Sequence, residues 1–273
     1  MPTGIRITKE KKYDVVNYYK SKPMTIRECA NHCGLSNPTI IKLLNEFGID
    51  RYKKAKINSP ELDENYFSNI NTEEKAYFLG LLISDGNVFV CGDGNRQASI
   101  SITQAESDAY ILKRFLEEVR SNTTIGHDGR GTCQATIRSN IMAHSLSSYG
   151  VVPEKTLTAY LPIIEDQYMQ HLIRGILDGD GSITSTLTSR NKHKHAISFC
   201  GTHQLMEGIS QYISLVTGAT RAKVYDYSDR HLSEIKWQSV SDVLLVGDWI
   251  YRDATIFLER KRKLYSDIEQ RYK

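Results

Sequence analysis

Two stretches of this 273-residue sequence end in the same dipeptide: FLGLLISDG at 78–86 and IRGILDGDG at 173–181. Each runs Gly, two aliphatic residues, two variable positions, then Asp-Gly, and Asp85 and Asp180 are 95 residues apart. The apolar spacing is helical, with Ala76, Leu79, Gly80 and Ile83 along one stripe. An aspartate at a helix C-terminus faces the negative end of the macrodipole, at a cost of roughly 0.3–1 kcal/mol. Two such carboxylates brought together also repel. A divalent cation relieves both costs, because Mg2+ (or Mn2+) binds through one or two carboxylates together with phosphate oxygens. Asp85 and Asp180 are therefore candidate metal ligands for phosphodiester hydrolysis, a reaction in which paired ions stabilise the attacking and leaving oxygens.

The elements that position them can be read from the same residues. Asn71 is the expected helix cap, with Glu74 completing a capping box. A glycine inside a helix costs up to about 1 kcal/mol relative to alanine. Two helices meeting at Gly80 and Gly175 recover that cost by close backbone approach, which makes this pair the expected helix interface. Gly86 and Gly181 are expected as left-handed stops.

The charge distribution points to a separate front end. Residues 1–57 hold 12 Lys and Arg against 5 Asp and Glu, a net of +7; the remainder holds 23 against 27, a net of −4. Within that basic segment, residues 10–20 read as a short helix with Tyr13, Val16 and Tyr19 inward. In residues 25–49, Ile26, Cys29 and Ala30 form one helical face, Gly34 is a stop, and Ser36 caps a helix with Pro38 in its first turn. Two helices about a glycine turn resemble a helix-turn-helix unit. Asn37, Thr39, Lys42 and Asn45 are its expected outward, DNA-binding residues, placed in the major groove. Residues 58–71 read as a linker, and Lys53 and Lys54, just before it, can track phosphates. Cys29, His32 and Cys33 lack the second ligand pair of a zinc site. Five cysteines, no secretory apolar stretch and no apolar run near 18 residues suggest a cytoplasmic, intracellular protein outside the membrane.

The two nine-residue stretches resemble the paired motifs of monomeric LAGLIDADG homing endonucleases. The likeness extends over about residues 72–270 and includes SITQAESD (101–108), YGVVPEKT (149–156) and WIYRDATIFLERKRKLY (249–265). In the first motif Ile83 stands where the family has an earlier aspartate, which Asp178 keeps in the second. The resemblance implies an α+β fold of two pseudo-symmetric αββαββα halves, 72–161 and 162–273, behind a small all-α helix-turn-helix domain at 1–57. It implies a monomer that cleaves both strands of a double-stranded DNA target site in intron homing. Asp85 and Asp180 would be the metal ligands. Gln104 would lie near the attacking water, with Gly201 or Thr202 at the matching place. Lys155 and Lys261 would stabilise the reacting phosphate, with Arg260, Arg262 and Lys263 adjacent to the latter. The alternatives are a non-catalytic transcriptional regulator on the same scaffold, or a maturase-like cofactor that binds its own intron RNA.

Each half of such a fold needs a sheet with one polar face, and the intervening sequence alternates accordingly. Gln134, Thr136 and Arg138 alternate with Cys133, Ala135 and Ile137, and Ser99, Ser101 and Thr103 with Ile100 and Ile102. Arg221, Lys223, Tyr225 and Tyr227 alternate with Ala222 and Val224, and Lys236 and Gln238 flank Trp237. Lys192 and Lys194, beside His193 and His195, read as a phosphate-contacting loop entering a strand. The expected DNA contacts are thus Gln134, Arg138, Lys192, Lys194, Arg221, Lys223, Lys236 and Gln238. Gly126, Gly129 and Gly131 read as hairpin turns.

Overall fold

The computed structural model describes residues 7–21, 24, 26–49, 61–90, 97–154, 157–189, 191–227 and 232–273. The chain forms two compact units, Met1–Pro60 and Glu61–Lys273.

Among the described residues the smaller unit has three helices, α1 (Lys9–Ser21), α2 (Ile26–Cys33) and α3 (Asn37–Glu46). Val15, Tyr19, Cys29, Ala30, Ile40, Leu43 and Leu44 form its core. Gly34 leaves α2 at φ +65°, a left-handed turn that suits glycine. Ser36 Oγ then accepts from Thr39 N at 3.4 Å to cap α3. Val15 turns inward alongside Val16 and Tyr19, and that register leaves Tyr13 half exposed, its ring edge-on to Phe47.

The larger unit is a mixed α+β fold. It runs α4 (Glu73–Ser84), β1 (Gly86–Phe89), β2 (Ser99–Ala105), α5 (Ala109–Glu118), β3 (Gly126–His127), β4 (Thr132–Arg138) and α6 (Asn140–Ser147). It continues through α7 (Asp166–Asp180), β5 (Ser182–Leu187), β6 (His193–Gly201), α8 (His203–Thr217), β7 (Tyr225–Tyr227), β8 (Leu232–Trp237), α9 (Val240–Tyr251) and α10 (Glu259–Tyr272). The strands form two antiparallel four-stranded sheets, ordered β1-β2-β4-β3 and β5-β6-β8-β7. Among the described residues no helix is long and apolar enough to cross a membrane.

Each sheet buries one face, as period-two alternation requires. Ile100, Ile102, Cys133, Ala135 and Ile137 are buried in the first sheet, and Ile183, Ile197, Phe199, Ile235 and Trp237 in the second. Three local expectations are corrected. Residues 61–71 belong to the body rather than a linker, because Tyr66, Phe67 and Ile70 are buried in its core. The cap of α4 is Thr72, whose Oγ1 accepts from Lys75 N at 3.3 Å. Asn71 instead accepts from Lys75 Nζ, and Glu74 pairs with Arg114. Residues 221–224 are not in a strand, since β7 begins only at Tyr225.

Candidate active site

The two motif helices cross on their glycines. A Cβ placed on Gly80 would fall 2.1 Å from Leu172 O, and one on Gly175 would fall 2.1 Å from Tyr77 O. A third close approach lies at the C-terminal tips, where a Cβ on Gly179 would be 2.5 Å from Ser84 Cβ and 3.3 Å from Asp85 Oδ2. The Asp85 carboxylate thus lies beside the residue that precedes Asp180. Asp85 caps α4 at φ −84°, ψ −1°, and Asp180 is the last residue of α7. Asp85 is half-buried and Asp180 exposed.

Gly86 and Gly181 are not left-handed stops, for Gly181 is extended at φ −93°, ψ 173° and Gly86 opens β1. Their lack of a side chain serves packing, because a Cβ would meet the preceding turn at Leu82 Cα (2.6 Å) or Leu177 O (2.6 Å).

Gln104, near the end of β2, donates Nε2–H to Asp85 Oδ2 at 2.5 Å. In the second sheet, register puts Gly201 at that place. Asn87 and Ser182, which directly follow the paired glycines, oppose Ser101 and Ser198, and three residues further along lie Gln104 and Gly201.

Lys261 reaches the site from α10 but turns inward. Its side chain is buried, and Nζ donates to Leu177 O (2.6 Å), Asp178 O (2.8 Å) and Gly181 O (2.7 Å). An ammonium has three donors, so all are engaged. Burial lowers its pKa to about 8, against the opposing pull of Asp178. Of its neighbours, Arg260 pairs with Asp108 at 2.8 Å and Arg262 lies over the Tyr251 and Tyr265 rings.

A buried polar network ties the rest of α7 to the loop before α10. Asp178 Oδ2 accepts from Tyr77 OH (2.9 Å) and Leu258 N (2.8 Å), and burial raises its pKa. Arg174, fully buried, donates to Ile250 O, Ile256 O and Glu73 Oε1. Glu73 also accepts from Thr255 N and Oγ1. His171, whose Nδ1 lies 2.9 Å from Arg174, has its pKa lowered to about 4 by burial and then by that guanidinium. The sequence reading missed Arg174, Glu73 and His171, and only the rarity of a charged residue within an apolar motif helix could have signalled Arg174.

The candidate DNA contacts divide into groups. Gln134 and Arg138 lie on the open face of the first sheet with Ser99, Ser101 and Thr103, and Lys194 and Lys236 lie on that of the second with Thr184, Thr186 and Ser198. Lys192 closes the β5–β6 hairpin, its N–H bonded to Thr188 Oγ1. His195 turns to the buried face and meets Tyr272 OH at 3.0 Å. Arg221 pairs with Glu207, Lys223 Nζ lies 5.4 Å from the Tyr225 ring centroid, and Gln238 follows β8. In the smaller unit Asn37, Lys42 and Asn45 are exposed along α3, while the Thr39 hydroxyl bonds Ser36 at its cap. Lys53, Lys54 and Lys155 lie outside the described residues. Missed in sequence were Asn87, Thr184, Thr186 and Glu234. β1 starts at Gly86 itself and β5 immediately after Gly181, where a helix stop masks a strand start.

No family model and no characterised relative matches the sequence. Solved structures do. The I-SmaMI LAGLIDADG homing endonuclease bound to cleaved DNA superposes with a TM-score of 0.52 at 12% identity, covering 74% of this chain and 89% of that one. I-SmaMI bound to an uncleaved DNA target in the presence of calcium ions gives 0.51 at 12%, covering 74% and 90%. The LAGLIDADG meganuclease I-AabMI bound to uncleaved DNA gives 0.51 at 12%, covering 71% and 89%. At this identity the likeness is one of architecture, and the larger unit has the fold of the LAGLIDADG homing endonucleases.

Proposed function

We propose that this protein is a site-specific, double-stranded DNA endonuclease that hydrolyses one phosphodiester bond on each strand. The observation that carries the reading is the glycine-seated crossing of α4 and α7, which brings the Asp85 carboxylate beside the Gly179–Asp180 tip. Hard carboxylate oxygens at two converging helix ends suit Mg2+ (or Mn2+), so Asp85 and Asp180 would hold the cation. When bound, it supplies Lewis-acid stabilisation of the phosphoryl and leaving oxygens. Gln104 holds the Asp85 carboxylate through Nε2 and keeps its own carbonyl oxygen to orient a water. Lys261 acts through α7, fixing the carbonyls around Asp180 rather than touching phosphate. Lys155 is the basic residue proposed for the reacting phosphate on the first side.

DNA as partner is supported by the two polar sheet faces and by the DNA-bound state of the neighbouring structures. The two runs of α-β-β-α-β-β-α are read as pseudo-symmetric halves, each covering one half-site, in a functional monomer. In the N-terminal unit, α2 and α3 about Gly34 are read as a helix-turn-helix, with Asn37, Lys42 and Asn45 toward the major groove.

The test is cleavage of a randomised-site plasmid library with Mg2+. Site-specific double-strand cuts, lost in Asp85→Asn and in Asp180→Asn and absent with EDTA, are expected. Tight, salt-sensitive duplex binding without cutting would refute catalysis and leave a regulator. Tighter binding to structured RNA than to any duplex would favour a splicing cofactor.

A further inference from the structure

The two open sheet faces carry different chemistry at one equivalent position. Two residues past the Asn87–Ser101 and Ser182–Ser198 pairs come Thr103 and Cys200, whose partners on the next strand are Gln134 and Glu234. Ser233, Ile235 and Trp237 are buried, so Glu234 and Lys236 belong to the open face of β8. Gln134 is exposed on the open face of β4, between buried Cys133 and Ala135, and Glu234 is half-buried on that of β8.

Both positions lie near the candidate active site. Gln134 opposes Thr103, whose chain neighbour Gln104 holds Asp85. Glu234 opposes Cys200, whose chain neighbour Gly201 stands at the place that Gln104 takes in the first sheet.

Both side chains are held in place. Gln134 donates Nε2–H to Thr103 Oγ1 at 3.0 Å and accepts from Thr136 Oγ1 at 3.4 Å. Glu234 Oε2 accepts from Tyr227 OH at 2.9 Å. A carboxylate on a surface built for a polyanion is repelled by every phosphate it passes. It is favourable there only against a hydrogen-bond donor, and in the major groove the base-edge donors are the amino groups of cytosine and adenine. Adenine sets an N7 acceptor beside its amino group, whereas cytosine offers the donor alone. Guanine and thymine present acceptors that an ionised carboxylate rejects. An amide has two N–H donors and an acceptor oxygen with two lone pairs, so after its bonds to Thr103 and Thr136 Gln134 keeps one donor and one acceptor for the adenine N6/N7 edge.

We infer that Glu234 and Gln134 are specificity-determining residues at equivalent positions on the two sides of the cut, Glu234 selecting cytosine and Gln134 adenine, so that the target is asymmetric where the scaffold is not. The inference rests on the endonuclease reading above. Tyr227 is a positioning residue for Glu234.

The test is selection of bound duplexes from a randomised library by the full chain, in EDTA so that no DNA is cut. The wild type enriches a site with cytosine at one position and adenine at its counterpart across the centre. Glu234→Gln shifts the first from cytosine toward adenine by at least about fivefold in enrichment ratio. Gln134→Glu converts the counterpart toward cytosine, and Tyr227→Phe relaxes only the position governed by Glu234. A site enriched by the wild type but unchanged in Glu234→Gln and Gln134→Glu overturns this assignment alone. Failure of the wild type to enrich any duplex overturns the endonuclease reading and this assignment together.

Discussion

Gly80→Ala tests whether the helix crossing is set by the absence of two side chains. The added methyl would sit 2.1 Å from Leu172 O, and that oxygen is backbone, so no rotamer change relieves the clash. Restoring an ordinary contact of about 3.3 Å requires α4 and α7 to part by about 1 Å. Overpacking of this kind costs about 1–3 kcal/mol. A gap of about 1 Å elsewhere along the crossing forfeits roughly a quarter to a half of the dispersion energy of the atoms facing it. Against this, alanine is favoured over glycine in a helix by about 1 kcal/mol. The net expectation is destabilisation by about 2 kcal/mol, or about 4–8 °C in Tm for a body of this size. Urea denaturation followed by circular dichroism measures it. The double substitution Gly80→Ala/Gly175→Ala should cost less than twice the single one, because one separation accommodates both methyls. Cleavage should fall about a hundredfold, since a displacement of about 1 Å between the two carboxylates misplaces the reacting groups. A Gly80→Ala protein more stable than wild type by about 1 kcal/mol, as helix propensity alone would give, would refute the reasoning.

Three further outcomes are expected. The folded state holds the His171 pKa at about 4, below its ordinary 6.5, so the unfolded chain binds the proton first and stability drops as pH falls from 6.5 to 4, by up to about 3 kcal/mol; His171→Gln should flatten that part of a pH-dependent denaturation series. Lys261, lowered to about 8 from 10.5, gives a second window of the same sign at higher pH: stability rises as pH climbs from 8 toward 10, until tyrosines such as Tyr77, held neutral by burial in the fold, ionise in the unfolded chain and reverse it. Lys261→Met, which leaves three carbonyls without their donor, should abolish the rise and lower stability by about 3 kcal/mol at pH 7. Removing residues 1–60 should weaken DNA binding and flatten its dependence on salt concentration while leaving slow cutting at high protein concentration; undiminished binding of the site would show that the basic segment has no part in it.

The sequence disclosed the parts of this fold that obey a period. Gly80 and Gly175 were legible because a glycine in an otherwise good helix demands a close neighbour, and the strands of Ile100–Ile102 and Cys133–Ile137 because one face is wholly apolar. Glycine chemistry misled at Gly86 and Gly181, where the same residue type serves a left-handed turn or a tight contact equally well. Residues 61–71 looked like a linker because charge and Pro60 dominate their composition, although Tyr66, Phe67 and Ile70 pack into the core. The inward turn of Lys261 had no sequence signal, since one lysine among Arg260, Arg262 and Lys263 is distinguished only by which side of α10 faces α7.

That inward turn explains the departure of the first motif from the second. Asp178 stands where the first motif has Ile83, and it faces away from solvent, accepting from Tyr77 OH and from Leu258 N just ahead of α10. Asp178 therefore receives the start of the closing helix, and α7 is the motif helix that this helix meets. Lys261 completes the same junction three residues further on, placing its ammonium against the carbonyl end of α7, where a cation offsets the helix dipole. Among the described residues no helix equivalent to α10 lies between α6 and α7, so an aspartate at 83 would be a buried carboxylate without its amide partner, and the apolar Ile83, 5% exposed, is the stable choice. The two tips are thus held by different means, Asp85 by Gln104 from β2 and the Asp180 end by Lys261 from α10. Ile83→Asp should consequently destabilise the protein by more than about 2 kcal/mol, whereas Asp178→Asn, which keeps an oxygen for Leu258 N, should cost less than Asp178→Ala. Equal losses for Asp178→Asn and Asp178→Ala in denaturant titrations would remove the junction as the reason for the asymmetry.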